Sequence, residues 1–126
     1  MISRGSFHAV KNWSVKLLVS RGYEPVLPVT DSWLSHYIPL HLIGLKGDYE
    51  ALCVKLRIAR GSVSEPYVES FCRFDICQFR SLLLASPGNV FLRCEIWVVS
   101  PDNAIHCYEV LADTIREVAE IGRAHV

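Results

Sequence analysis

Two pairs of strand-like segments, each folded about its own turn, stand on either side of a single helix-length run. This alternation limits the chain to a mixed sheet with helices packed on it. The first pair is residues 40–46 and 49–58, joined at Gly47-Asp48, a dipeptide suited to the positive φ angles of a tight hairpin. The second is residues 90–99 and 104–111, which alternate around Ser100-Pro101-Asp102-Asn103. Between them, Ser64-Glu65-Pro66-Tyr67 opens a helix running to residue 85, with serine as the cap and proline in the first turn, where its missing N–H costs nothing. Pro87-Gly88 stops it. In residues 49–58 the period of two puts Leu52, Val54, Leu56 and Ile58 on one face and Ala51, Cys53, Lys55 and Arg57 on the other. The first face is expected to be core and the second to hold any chemistry.

The remaining segments complete the order. Phe7, Val10, Trp13 or Ser14, Leu17 and Leu18 recur at helical spacing, so residues 6–21 read as an amphipathic first helix with Ser6 as its cap and Gly22 as its left-handed terminator. Residues 24–30 are rich in Val and Leu but carry Pro25 and Pro28, which cannot donate to a ladder and so place this strand at an edge. Residues 31–39 read as a loop or one helical turn. Thr114 with Glu117 three residues later is a capping box, predicting a last helix. The expected order is α-β-β-β-α-β-β-α, in one domain spanning residues 1–119. Residues 120–126, Glu-Ile-Gly-Arg-Ala-His-Val, match the translation of a common sequencing-library adapter. They are expected to be read-through, so Arg123 and His125 carry no functional weight and the natural chain continues past Ala119.

With 51% hydrophobic and 21% charged residues in 126, the chain has ample apolar surface to offset its conformational entropy. Thirteen basic residues balance thirteen acidic ones, so any nucleic-acid or membrane binding needs a local patch. No apolar run approaches the roughly 18 residues of a membrane span. Five cysteines, at positions 53, 72, 77, 94 and 107, are an odd number without CxxC spacing, which favours a reducing cytoplasm over a disulfide framework.

Arg21-Gly22-Tyr23, then a strand, then Leu40-His41-Leu42-Ile43-Gly44, then Ala51-Leu52-Cys53-Val54-Lys55-Leu56 resembles the restriction-endonuclease-like, PD-(D/E)XK, nuclease superfamily, which contains type II restriction enzymes and archaeal Holliday junction resolvases. The resemblance covers nearly the whole chain in element order and implies a central mixed sheet flanked by helices. In the family an aspartate in an Asp-Leu-Ile-Gly-like stretch and the glutamate of a later Glu-x-Lys hold Mg²⁺, and the lysine orients or activates the attacking water. Laid on this chain, His41 stands at the aspartate, Cys53 at the glutamate, and Lys55 matches the lysine. Gln78 matches the glutamine of a Gln-x-x-x-Tyr found in some members, while Leu82 stands at the tyrosine. A histidine and a thiol are poor ligands for a cation that prefers octahedral oxygen.

The resemblance therefore implies a catalytically degenerate domain with no cofactor, binding nucleic acid or a protein partner, with Lys55, Arg57 and Arg60 as phosphate contacts and Arg73 and Arg80 as extensions. The bland reading of that stripe is a solvated strand face, and zero net charge favours it. A second function is an active endonuclease using Mg²⁺ or Mn²⁺, its carboxylates migrated to Glu69 or Asp75. A Glu69 or Asp75 oxygen within a few ångströms of the Lys55 ammonium is its expected sign, and an apolar setting for Cys53 is that of the degenerate domain. A third is a homodimerising module joined through the edge at residues 26–29. His41 opposes Cys53 across the hairpin only if an odd-numbered loop centres on Gly47. Such a pair would be a nucleophile and base without an oxyanion hole. The remaining cysteines with His106 read as buried small hydrophobes rather than a zinc site. Trp13, Trp33 and Trp97 read as packing, with Trp33 and Tyr37 the alternative contact surface for a base or a protein.

Overall fold

A computed structural model describes residues 4–85 and 90–118 of the chain. The first helix, α1 (Arg4–Ser20), buries Val10, Ser14 and Leu18 on one face. It ends as the sequence leads one to expect. Gly22 takes φ 90°, its N–H reaches Val19 O at 2.9 Å, and the Tyr23 N–H reaches Leu18 O at 3.2 Å, the paired bonds of a Schellman cap. Ser6, expected as the N-cap, lies inside the helix.

Six strands follow in a single sheet ordered as they occur in the chain. Strand β1 (Glu24–Pro25) is the edge, with β2 (Leu42–Lys46) and β3 (Glu50–Ile58) completing an antiparallel meander. The expected edge strand over residues 24–30 is this short because Pro28 has no N–H to offer. The chain turns away instead into two 3₁₀ turns, Val29–Asp31 and Trp33–His36. Helices α2 (Glu65–Phe71) and α3 (Arg73–Ala85) carry the chain back across the sheet, so β4 (Phe91–Val99) runs parallel to β3. Strands β5 (Ile105–Val110) and β6 (Ile115–Glu117) then add antiparallel partners. The fold is mixed α/β, with a six-stranded mixed sheet and three helices among the described residues.

Three expectations need correction. The helix over residues 64–85 is capped by Ser64, whose Oγ accepts from Tyr67 N at 3.3 Å, but it breaks at Cys72 into α2 and α3. Its proposed stop at Pro87-Gly88 lies outside the described residues. The segment with Thr114 and Glu117 is strand β6, not a helix. Burial of Ile115 opposite Val110 and the Leu111 N–H to Thr114 O bond of 2.9 Å outweigh a capping motif that works only if a helix follows. Any helix beyond it, and the adapter-like residues 120–126, also fall outside the described residues. Finally, β3 has no chemistry-only face: residues 51 to 56 are all buried, because β3 is central and covered on both sides.

Two clusters make the core. Leu42, Leu52, Val54, Leu56, Trp97 and Cys107 pack under α1, and Ile43, Cys53, Val68, Phe79, Cys94 and Ile96 pack under α2 and α3. Gly44 lets α1 close on the sheet. A Cβ there would sit 2.7 Å from Tyr23 Cβ and 2.8 Å from Leu18 Cδ1. Gly44→Ala is expected to cost about 1–3 kcal/mol through this overpacking, read as a fall of about 5 °C or more in Tm. An unchanged Tm would mean that Tyr23 and the end of α1 pack less closely on β2 than described.

Candidate functional site

Lys55 and Arg57 project from β3 toward α3 because alternate residues share a face. Lys55 is 3% exposed; its Nζ lies 3.1 Å from Asp75 Oδ1, donates to Gln78 Oε1, and sits 5.8 Å from the centre of the Phe79 ring. Arg57 grips the same carboxylate with two bonds, Nε to Oδ2 and Nη2 to Oδ1, both 2.7 Å, and Nη1 reaches Leu56 O at 3.2 Å. Asp75 is thus held by two cations, the bidentate arginine geometry being the stronger. Burial alone would raise its carboxyl, but the bonds and charges of Arg57 and then Lys55 outweigh this and hold the group below its ordinary range.

His41 stands beside this cluster in a structural role. The β2–β3 ladder ends at Leu42, and the next free backbone donor on β3, Leu56 N–H, is accepted by His41 Nδ1 at 2.7 Å. The ring also meets Phe7 edge-on at 5.6 Å. Burial first, then the charges of Arg57 and Lys55, lower its pKa to about 4, so the ring is neutral with its proton on Nε2.

His41 and Cys53 are not paired. The hairpin loop is Gly47-Asp48-Tyr49, centred on Asp48 with Gly47 at φ 63°, so Ile43 and not His41 faces Cys53. Cys53 is fully buried in apolar surroundings under α3. Gln78 meets Lys55, whereas Leu82 is buried in the core. Of the two acids considered as migrants, Asp75 comes to Lys55 and Glu69 does not. Glu69 lines a groove of about 580 Å³ on the far flank of α3 with Arg73, Cys77, Arg80, Asp113 and Thr114. The basic stripe is therefore split: Lys55 and Arg57 lie on one flank of α3, Arg73 and Arg80 on the other. Arg60 is exposed just beyond β3, its backbone N–H 3.5 Å from the Tyr67 hydroxyl. Among the cysteines only Cys77 is exposed, and no three His, Cys, Asp or Glu side chains converge as metal ligands among the described residues.

These donors do not fit Mg²⁺ or Mn²⁺. A hard divalent cation asks for several oxygens, and the one carboxylate beside Lys55 already spends both of its own on Lys55 and Arg57. No family model, curated protein or solved structure matches this chain. None of the described helices is long and apolar enough to cross a membrane.

Sequence reasoning missed a second charged network on the α1 side of the sheet. Glu95 is fully buried. It accepts from Arg21 in a fork at 2.7 and 2.9 Å and from Trp97 Nε1 at 2.9 Å. Arg93 Nη2 lies 3.8 Å from Glu95 and 3.4 Å from Glu109, and Arg116 binds Glu109 at 2.6 Å. The signal was a lone acid inside the apolar run Cys94 to Val99, since a buried charge demands a partner. Arg21, the residue after α1, is that partner, and the fork fixes the end of α1 to the sheet.

Proposed function

We propose that this chain is a nuclease-like domain without hydrolytic chemistry, which holds the phosphate backbone of a nucleic acid at Arg57 and Arg60. The observation that carries the reading is the double capture of Asp75 by Lys55 and Arg57. In the family the lysine acts beside a metal held by carboxylates. Here a guanidinium occupies the carboxylate's coordinating edge, and the cluster of Lys55, Arg57 and Asp75 keeps a net positive charge. The Arg57 side chain is 34% exposed, enough for its outer edge to meet a phosphate while its inner edge holds Asp75. The order from α1 to β5 follows that which suggested the resemblance, and supports reading the fold as restriction-endonuclease-like. Cysteines that are free thiols, most of them buried, accord with a cytoplasmic setting.

One observation favours the active endonuclease: Asp75 stands 3.1 Å from the Lys55 ammonium, the sign expected of a migrated carboxylate. A single assay separates the two. Linear, branched and single-stranded DNA are incubated with the protein and Mg²⁺ or Mn²⁺, and gel shifts are run on the same samples. The expected result is no cutting and a salt-sensitive complex. Replacing both Arg57 and Arg60 with glutamine should flatten the slope of log K against log salt by about 1–2. Metal-dependent cutting that is lost in Asp75→Asn while circular dichroism shows that variant still folded would establish the active enzyme instead. Absence of any complex would overturn the phosphate reading and leave a protein partner or homodimer.

A further inference from the structure

The flank of α2 and α3 that carries Gln78 to Lys55 also carries an aromatic stripe. Tyr67, Phe71, Phe74 and Gln78 are spaced four, three and four residues apart, which is one side of a helix. Cys72 stands at the break between α2 and α3; its N–H bonds Val68 O at 2.8 Å in the last turn of the one, and its carbonyl accepts from Ile76 N–H at 2.9 Å in the first turn of the other. Tyr67 and Phe71 are stacked, with centroids 5.2 Å apart and planes 26° from parallel. Phe71 is 45% exposed and Phe74 72%. Apolar rings this large are rarely left in water in succession without a use. At one end of the stripe Arg57 grips Asp75, the residue after Phe74, and at the other the backbone N–H of the exposed Arg60 lies 3.5 Å from the Tyr67 hydroxyl. Asp75 is neutralised, and Glu69 faces the groove on the other flank.

Exposed rings flanked by arginines suit a strand that presents phosphates and unstacked bases together. A duplex buries its base faces and leaves exposed phenylalanines nothing to stack on. A protein partner would use the rings but has no general need of the two flanking cations. Trp33 and Tyr37, in edge-to-face contact at 6.1 Å, lie on the same side of the sheet, since Leu34 and Ile38 between and beside them belong to the core under α2 and α3. We infer that the ligand is single-stranded nucleic acid, with its bases stacked on Phe71 and Phe74 and its phosphates held by Arg57 and Arg60. This rests on the phosphate-binding reading above and adds the strandedness of the ligand.

The test is fluorescence anisotropy with a labelled oligothymidylate and a duplex of equal length. It uses wild type, Phe71→Ala/Phe74→Ala, Phe71→Tyr/Phe74→Tyr and Arg57→Gln/Arg60→Gln, across a salt series. The single strand should bind more tightly than the duplex. The alanine pair should weaken it at least about tenfold with an unchanged salt slope, and the tyrosine pair should restore it. The arginine pair should flatten the slope. Equal binding of strand and duplex, indifferent to the alanine pair, would overturn this inference and leave the phosphate reading standing. No binding of either would overturn both. Self-association abolished by the alanine pair would identify the stripe as an interface between copies and overturn the inference as well.

Discussion

Asp75→Ala is expected to destabilise the protein by about 3–5 kcal/mol, because it leaves the Lys55 ammonium, 4% exposed at its side chain, without a counter-charge. The cost is not the worth of the ion pair. Removing both charges of a buried pair is often near neutral, whereas removing one strands the other. Arg57 can turn its guanidinium into water, and Lys55, pinned beneath α3, cannot. Gln78 still accepts one proton of the ammonium but brings no charge. The double change Lys55→Met/Asp75→Ala should therefore recover most of the loss. Urea unfolding measures both, the expected sign being a fall in midpoint at constant slope for the single change and its reversal in the double. A single-variant loss below about 1 kcal/mol would mean that Lys55 reaches water, and the caged-carboxylate account would fail with it.

The parts of this architecture that could be read from sequence are those set by local chemistry. Pro25 and Pro28 mark an edge strand, Ser64 and Pro66 mark a helix start, and Gly22 marks a helix end. Each acts through the backbone of its immediate neighbours, so no knowledge of the fold is needed. Thr114 and Glu117 mislead because a capping box has meaning only if residues after it are helical. The hydrophobic contact of Ile115 with the sheet decides otherwise.

Register was harder. Gly47-Asp48 announces a turn but not whether two or three residues form it, and shifting the centre from Gly47 to Asp48 replaces His41 by Ile43 opposite Cys53. Glu69 and Asp75 are acids that the sequence offers as neighbours of Lys55, with ordinary surface placement as the bland reading of both. Choosing between them requires the rotations of α2, which carries Glu69, and of α3, which carries Asp75, and these are set by which faces Val68 on the one and Ile76, Phe79 and Leu82 on the other bury. The Arg21–Glu95 fork joins residues far apart in the chain, and no spacing rule reaches that distance.

Acid should weaken this protein before its carboxylates protonate, and His41 is the reason. Its folded-state pKa is about 4, while the unfolded chain titrates near 6.5. Between those values the unfolded chain takes up a proton that the folded protein refuses, so stability is fully present above pH 6.5 and falls as pH drops toward 4. The full shift corresponds to on the order of 3 kcal/mol, reduced where the partly exposed ring is screened by solvent. The mechanism is specific: a protonated ring cannot accept the Leu56 N–H, and it would stand as a third cation beside Lys55 and Arg57. Asp75 acts in a separate window. Its pKa is lowered, so its contribution is lost only below the ordinary carboxylate range. Urea midpoints from pH 7 to pH 4 should slope downward in wild type and run nearly flat in His41→Asn, whose side-chain oxygen can accept the same N–H without titrating. Parallel slopes in the two proteins would show that His41 protonates freely in the folded state, and the capped end of the β2–β3 ladder would then need another acceptor.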